Sequence, residues 1–193
     1  MGDHVVLIGM MGSGKSTVGR IVADRMHRPY YDTDTEVERR TGSTVPALFA
    51  DRGELAFRAE ERAALCSVLA SSVPSVIAAG GGAVIDPESR RRLRSSGLVV
   101  WLENGVGALA TRLGTGQGRP LLEGDPAGAL RRLDARRRPV YRELSEFTLP
   151  AGSRRAEVLA EAVVKAARDR LEVRTAPPSS RALALRTGQG SRE

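Results

Sequence analysis

Short unbroken runs of apolar residues punctuate the chain at 5–8, 76–79, 98–102 and, more weakly, 147–149. Runs this short, with no polar alternation, suit strands buried on both faces of a parallel sheet. Tyr30-Tyr31-Asp32 predicts one more strand, ending in polar residues. The segments between have helical spacing. Val18, Ile21, Val22 and Met26 recur on one face of a helix over 16–26. Thr33 with Glu36, or Thr35 with Glu38, predicts a capping box for a helix reaching Arg40, closed by Thr41-Gly42-Ser43. A helical turn or two over 45–50, a turn at Asp51-Arg52-Gly53 and a long helix over 54–71 follow, before Pro74. Further helices are predicted over 86–95 (closed by Gly97), 106–113, 126–138 and 154–173. Strands alternating with helices predict an α/β protein with a parallel sheet. Residues 114–118 are flexible by composition. Beyond Val173 the chain turns to Pro, Ser, small residues and Arg, so 1–173 is expected to be one domain and 174–193 a disordered tail.

Composition narrows the classes. Lys+Arg is 30 against 23 Asp+Glu, giving +7 and a pI near 10.6. Such a balance asks for an anionic partner without naming it. Only Lys15 and Lys165 are lysines, so arginine carries the excess, as coding-DNA composition alone can also produce. A lone Cys66, read as a small core residue, excludes a disulfide framework and a multi-cysteine zinc site. Aromatic residues are only 4%, which leaves little for stacking bases. No run of about 18 apolar residues occurs. The N-terminal residues lack a basic segment followed by an apolar one, so a cytoplasmic location is expected.

The chemistry concentrates at strand ends. Gly9-Met10-Met11-Gly12-Ser13-Gly14-Lys15-Ser16 matches G-x-x-x-x-G-K-[ST], with a strand before it and a helix after it. Such a loop wraps phosphates with backbone N–H groups at a helix N-terminus. Lys15 reaches the β- and γ-phosphates and Ser16 offers its hydroxyl to Mg²⁺. Asp32-Thr33-Asp34 ends the second strand. One carboxylate there can hold the water shell of Mg²⁺ and the other can take a proton from an acceptor hydroxyl; equally, Asp34 can cap the next helix. Arg58 and Glu61 share a helix face. Arg58 suits a substrate carboxylate, or the two form an ordinary surface ion pair. Gly80-Gly81-Gly82 allows close backbone approach to a ligand, or is a plain loop. Arg119-Pro120-Leu121, after the glycine-rich segment, reads as a lid arginine or as a disordered insertion. Arg136-Arg137-Arg138 alone reads as a solvated helical face.

The ordered set resembles the shikimate kinase family over residues 5–171. It comprises G-x-x-G-x-G-K-S at 9–16, D-x-D at 32–34, F-R-x-x-E at 57–61, G-G-G at 80–82, R-P-L at 119–121 and R-x-x-x-Y at 137–141. The resemblance implies a P-loop fold, a three-layer αβα sandwich around a five-stranded parallel sheet ordered 2-3-1-4-5, with a mobile lid at about 112–124. It implies transfer of the ATP γ-phosphoryl to the 3-hydroxyl of shikimate, in the route to chorismate and the aromatic amino acids. It implies Mg²⁺ as cofactor, shikimate and ATP as the small-molecule partners, no nucleic acid or membrane partner, and a monomer. Gly12, Ser13, Gly14, Lys15, Ser16 and Thr17 would bind ATP, with Arg112, Arg119 and Arg154. Ser16 and, through water, Asp32 would serve the metal. Asp34 would be the base, with Lys15 and Arg119 also catalytic. Arg58, Arg137, Gly80, Gly81 and Gly82 would hold shikimate with Asp34, and Glu61 would support Arg58. The segment 147–152 departs from the family, which often has Asp-Thr there. Another small-metabolite kinase, such as a gluconate kinase, is the alternative.

Overall fold

The computed structural model describes residues 3–175. Five strands form one sheet: β1 (His4–Ile8), β2 (Tyr30–Asp32), β3 (Val76–Ala78), β4 (Gly97–Glu103) and β5 (Phe147–Pro150). Their order is β2-β3-β1-β4-β5 and every neighbouring pair is parallel, as expected. The connecting helices are α1 (Lys15–Met26), α2 (Thr33–Thr41), α3 (Val45–Leu69), α4 (Pro87–Ser96), α5 (Val106–Leu113), α6 (Pro126–Leu144) and α7 (Ala156–Thr175).

The apolar runs become central strands because both faces are covered. Val6, Ile8, Ile77, Val99 and Trp101 point into one core with Leu65, Leu93, Leu109, Leu130 and Tyr141. Val5, Leu7, Val76, Val100 and Leu102 point into the other, with Val18, Val22, Leu159 and Val163 of α1 and α7. Alternate residues along each strand thus feed opposite layers, which is the three-layer αβα sandwich. A third, small cluster of Val37, Leu48, Phe57 and Ala64 welds α2 to α3.

Several boundaries differ from the sequence expectation. The cap of α2 is neither Thr33 nor Thr35: Asp32 accepts from the Asp34 N–H at 3.1 Å. A strand-end aspartate is already extended, so it meets the cap geometry one residue before Thr33 and three before Thr35. Gly53, at φ 76° and ψ 175°, interrupts α3 at the expected turn. Helix α6 runs on through Pro139 to Leu144, held by buried Tyr141 and Leu144. Packing of that face overrides the missing proline N–H. Cys66 is only half-buried, not a core residue, because it lies off the inward face of α3. Helix α7 continues to Thr175; the rest of the expected tail lies outside the described residues. Among the described residues no helix is long and apolar enough to cross a membrane.

Gly97 closes α4, as expected, and also opens β4, where it pairs with His4. Its φ is +147°, and a Cβ there would overlap the His4 backbone. Gly97→Ala is therefore expected to cost roughly 3 kcal/mol through strain and displaced pairing. A thermal melt would show this as a Tm drop of about 6–12 °C for a chain of this size.

Candidate active site

Three loops leave the sheet at one level. Asp32 and Leu7 both align with Ala78, so the phosphate loop, the D-T-D segment and the triple glycine emerge side by side. Gly14, at φ 93°, turns the phosphate loop into α1 in a left-handed conformation that favours glycine. Lys15 folds its ammonium back on the loop, donating to the carbonyls of Gly9 at 3.0 Å and Met10 at 2.9 Å. Burial lowers its pKa to about 8, against the pull of Asp34 and Asp32.

Ser16 Oγ donates to Asp32 Oδ2 at 2.7 Å, and the Tyr30 hydroxyl donates to the same oxygen at 3.2 Å. Thr33 is wholly buried and its Oγ1 accepts from the Gly80 N–H at 2.7 Å, clamping the end of β2 to the loop after β3. Asp34 is thereby aimed into a cavity of about 320 Å³ with Arg58, Glu61, Gly81, Gly82, Arg119 and Arg137. Its carboxylate reaches solvent through the cavity mouth, yet the enclosing protein still raises its pKa to about 6. Desolvation is the main cause, then the charges of Glu61 and Asp32, opposed by Lys15 and Arg58.

Arg58 Nη1 donates to Glu61 Oε2 at 2.6 Å, and Glu61 is 2% exposed. This is no surface ion pair. Arg58 also donates from Nε (3.2 Å) and Nη2 (3.1 Å) to Glu54 Oε1. Arg137 is 4% exposed, so the solvated-face reading fails there and survives only for exposed Arg136. Tyr141 lies one helical turn on and donates to the Gly81 carbonyl at 2.7 Å; burial pushes its hydroxyl to about 12.

The triple glycine is required by space. A Cβ on Gly80 would collide with Glu61 Oε1 and sit 3.1 Å from Asp34 Oδ1. One on Gly82 would collide with Arg58 Nη1, and one on Gly81 would lie 3.0 Å from Arg137 Nη1. The charged side chains therefore pack directly on the backbone.

Arg112 donates to the Gly12 carbonyl at 2.7 Å and to the Gly152 carbonyl at 2.9 Å. It bridges the phosphate loop to the turn that carries exposed Arg154, whose N–H donates to the Ala151 carbonyl at 2.9 Å. Thr17 is exposed in the first turn of α1 and Ser13 is buried in the loop. Sequence reasoning missed the apolar cavity wall: Met11, Val45, Phe49 and Leu121, with the Phe49 ring 4.6 Å from, and tilted 38° to, the Phe57 of the F-R-x-x-E motif. It also missed Tyr30, Thr33 and Glu54, whose site partners lie two residues along a strand, 47 residues away and one helical turn away, respectively.

A family model described as shikimate kinase matches residues 11–168. The chain belongs to the shikimate kinase family. Curated shikimate kinases agree: one from Symbiobacterium thermophilum is 44% identical over 167 residues, covering 84% of this chain and 95% of the relative. One from Thiobacillus denitrificans is 42% identical over 148 residues, covering 76% and 80%. The solved shikimate kinase from Acinetobacter baumannii in complex with shikimate is 35% identical with a TM-score of 0.83, covering 86% of this chain and 93% of that one. A gluconokinase from Sinorhizobium meliloti, at 19% identity and TM-score 0.61, shares the fold. Membership of the shikimate kinase family makes ATP the co-substrate.

The carboxylate arrangement has a pH consequence. A carboxyl with a raised folded pKa binds its proton more tightly folded than unfolded. Its stabilising contribution is full below 3.8 and is lost as pH rises through about 6. Carboxyl-carbon NMR should place the Asp34 midpoint near 6. Glu61→Gln should move it down by removing the stronger of the two like charges. An unmoved midpoint would mean Glu61 does not act on Asp34.

Proposed function

We propose that this chain transfers the γ-phosphoryl group of ATP to the 3-hydroxyl of shikimate, giving shikimate 3-phosphate and ADP, with Asp34 as base. The observation carrying this reading is one cavity that brings Asp34, Arg58, Arg119 and Arg137 together, in a member of this family, within electrostatic reach of Lys15.

Arg58 and Arg137 hold the acceptor carboxylate from two helices, over the backbone of Gly81 and Gly82. Gly80 leaves the room that Asp34 and Glu61 occupy. Phe49 and Phe57 give the ring an apolar wall. Asp34 accepts the proton of the attacking hydroxyl as its oxygen bonds to the γ-phosphorus and the bond from phosphorus to the ADP oxygen breaks. A pKa near 6 suits this: the carboxylate is mostly ionised at neutral pH yet basic enough to share a proton. The nucleotide lies along Gly12, Ser13, Gly14, Lys15, Ser16 and Thr17, with Arg112 and Arg154 at the base. Lys15 leaves the Gly9 and Met10 carbonyls for the phosphates. Residues 112–124 act as the lid, Arg119 at its centre, with buried Leu122 as the anchor in the core. Closure excludes water, which limits wasteful ATP hydrolysis.

Ser16 and Asp32 fit a nucleotide-linked Mg²⁺. Their oxygens lie 2.7 Å apart, a hydroxyl and a carboxylate, and Mg²⁺ takes few protein ligands besides phosphates and water. When bound, the ion neutralises charge on the phosphates. Asp32 is kept aimed at that place by Ser16 and Tyr30. We propose a monomer working in the cytoplasm.

A coupled ADP-release assay over shikimate, gluconate and nucleoside monophosphates tests the acceptor. Turnover is expected on shikimate, and turnover on gluconate alone would reject the reading. Asp34→Asn should lower kcat roughly a hundredfold or more while leaving nucleotide affinity near normal. Phosphate contact should also raise the pKa of Lys15. Calorimetry of Mg·ADP near pH 8, in buffers of different ionisation enthalpy, should then register proton uptake, lost in Lys15→Met.

A further inference from the structure

We propose that Glu54 is a resident competitor for Arg58: its carboxylate occupies the guanidinium that the acceptor's carboxylate must engage. It therefore tunes acceptor affinity and rewards an acceptor that is charged. The inference rests on the acceptor reading given above.

Arg58 meets two carboxylates that differ in kind. Glu61 is fixed: its side chain is 3% exposed and takes Nη1. Glu54 is 54% exposed and takes the Nε–Nη2 edge, an edge with the fork geometry that a substrate carboxylate favours. With the acceptor bound, Glu54, Glu61 and the acceptor's carboxylate would all crowd Arg58 if Glu54 stayed, beside Asp34 in the same cavity. Departure of Glu54 removes one of these negative charges. Leaving is easy. Glu54 reaches Arg58 from a second cavity of about 570 Å³, which Arg58 and Arg137 divide from the Asp34 cavity. That outer cavity is lined by exposed Arg136, a cation beside which the released carboxylate can settle, and by Arg62, which already meets Asp86 at 3.6 Å. Glu54 also begins the helical segment after Gly53, where a helix N-terminus favours a negative charge whether or not Arg58 is engaged.

Glu54 thus sets a threshold. A carboxylate ligand displaces it, because Arg137 adds a second cation that Glu54 does not reach in the described contacts. A neutral acceptor finds Arg58 already satisfied and gains nothing by displacing it. Glu54 is a positioning residue acting through Arg58, since it does not line the Asp34 cavity.

The test is Glu54→Gln, with Glu54→Ala as a second variant that lacks the amide. Calorimetry would measure the Kd of shikimate and of its methyl ester, and steady-state kinetics would separate KM from kcat. Removing the competitor should tighten shikimate binding and lower its KM about threefold, the scale of a half-exposed ion pair. The ester's Kd should not move, and kcat should change much less than KM. An unchanged or raised shikimate Kd overturns the proposal. So does an equal gain for shikimate and ester, which would mean the cavity has simply loosened. If the unaltered protein neither binds nor phosphorylates shikimate, the acceptor reading fails instead, and the variants are not needed to show it.

Discussion

One rung of the sheet governs this molecule. Parallel pairing sets Asp32 and Leu7 level with Ala78, so three loops with different chemistry leave the sheet together. Had β3 lain elsewhere, the triple glycine would not meet Asp34, and Thr33 could not take the Gly80 N–H. Strand ends in open α/β sheets face the ligand crevice, and here the central position of β1 puts the phosphate loop between the acceptor side and the Arg112 side.

The same enclosure accounts for the electrostatics. Burial drives Lys15 down and Asp34 up, while each pulls the other back toward its charged form. The site therefore holds an amine and a carboxylate whose pKa values, about 8 and about 6, lie on either side of neutral pH, with both groups mostly charged there. Glycines 80 to 82 let Glu61, Arg58 and Arg137 lie directly on the main chain, where any Cβ would displace them. Arg58 and Glu61 form an ion pair whose carboxylate is buried and whose guanidinium is half-buried, and such pairs contribute geometry more reliably than stability.

The basic balance of +7 looks different beside this geometry. Many arginines sit in exposed pairs such as Arg39–Glu36 and Arg132–Asp125, and others line the two cavities. Small anions are sufficient partners for the latter group. Family membership and the cavity agree on this, and they separate the chain from the gluconokinase that shares its fold at low identity.

Most of the architecture was legible in the chain. Apolar runs of four or five residues with no alternation demand two covered faces, and helical spacing between them supplies the covers. The phosphate loop was legible because its glycines, lysine and serine are contiguous and each answers a local need. The acceptor side was legible only as an ordered set of motifs, since Asp34, Arg58 and Gly80 come from separate elements and each alone has an ordinary explanation. Boundaries failed where tertiary packing outweighed local preference, as at Pro139, or where a strand-end residue took the cap, as at Asp32. Sequence by itself determined which residues could do chemistry, because residue type and spacing carry that. Only the tertiary structure decided which carboxylate meets which arginine, that Arg137 is buried while Arg136 is not, and that Glu54 holds Arg58. Those outcomes depend on through-space distances between loops, helices and charges that no local pattern encodes.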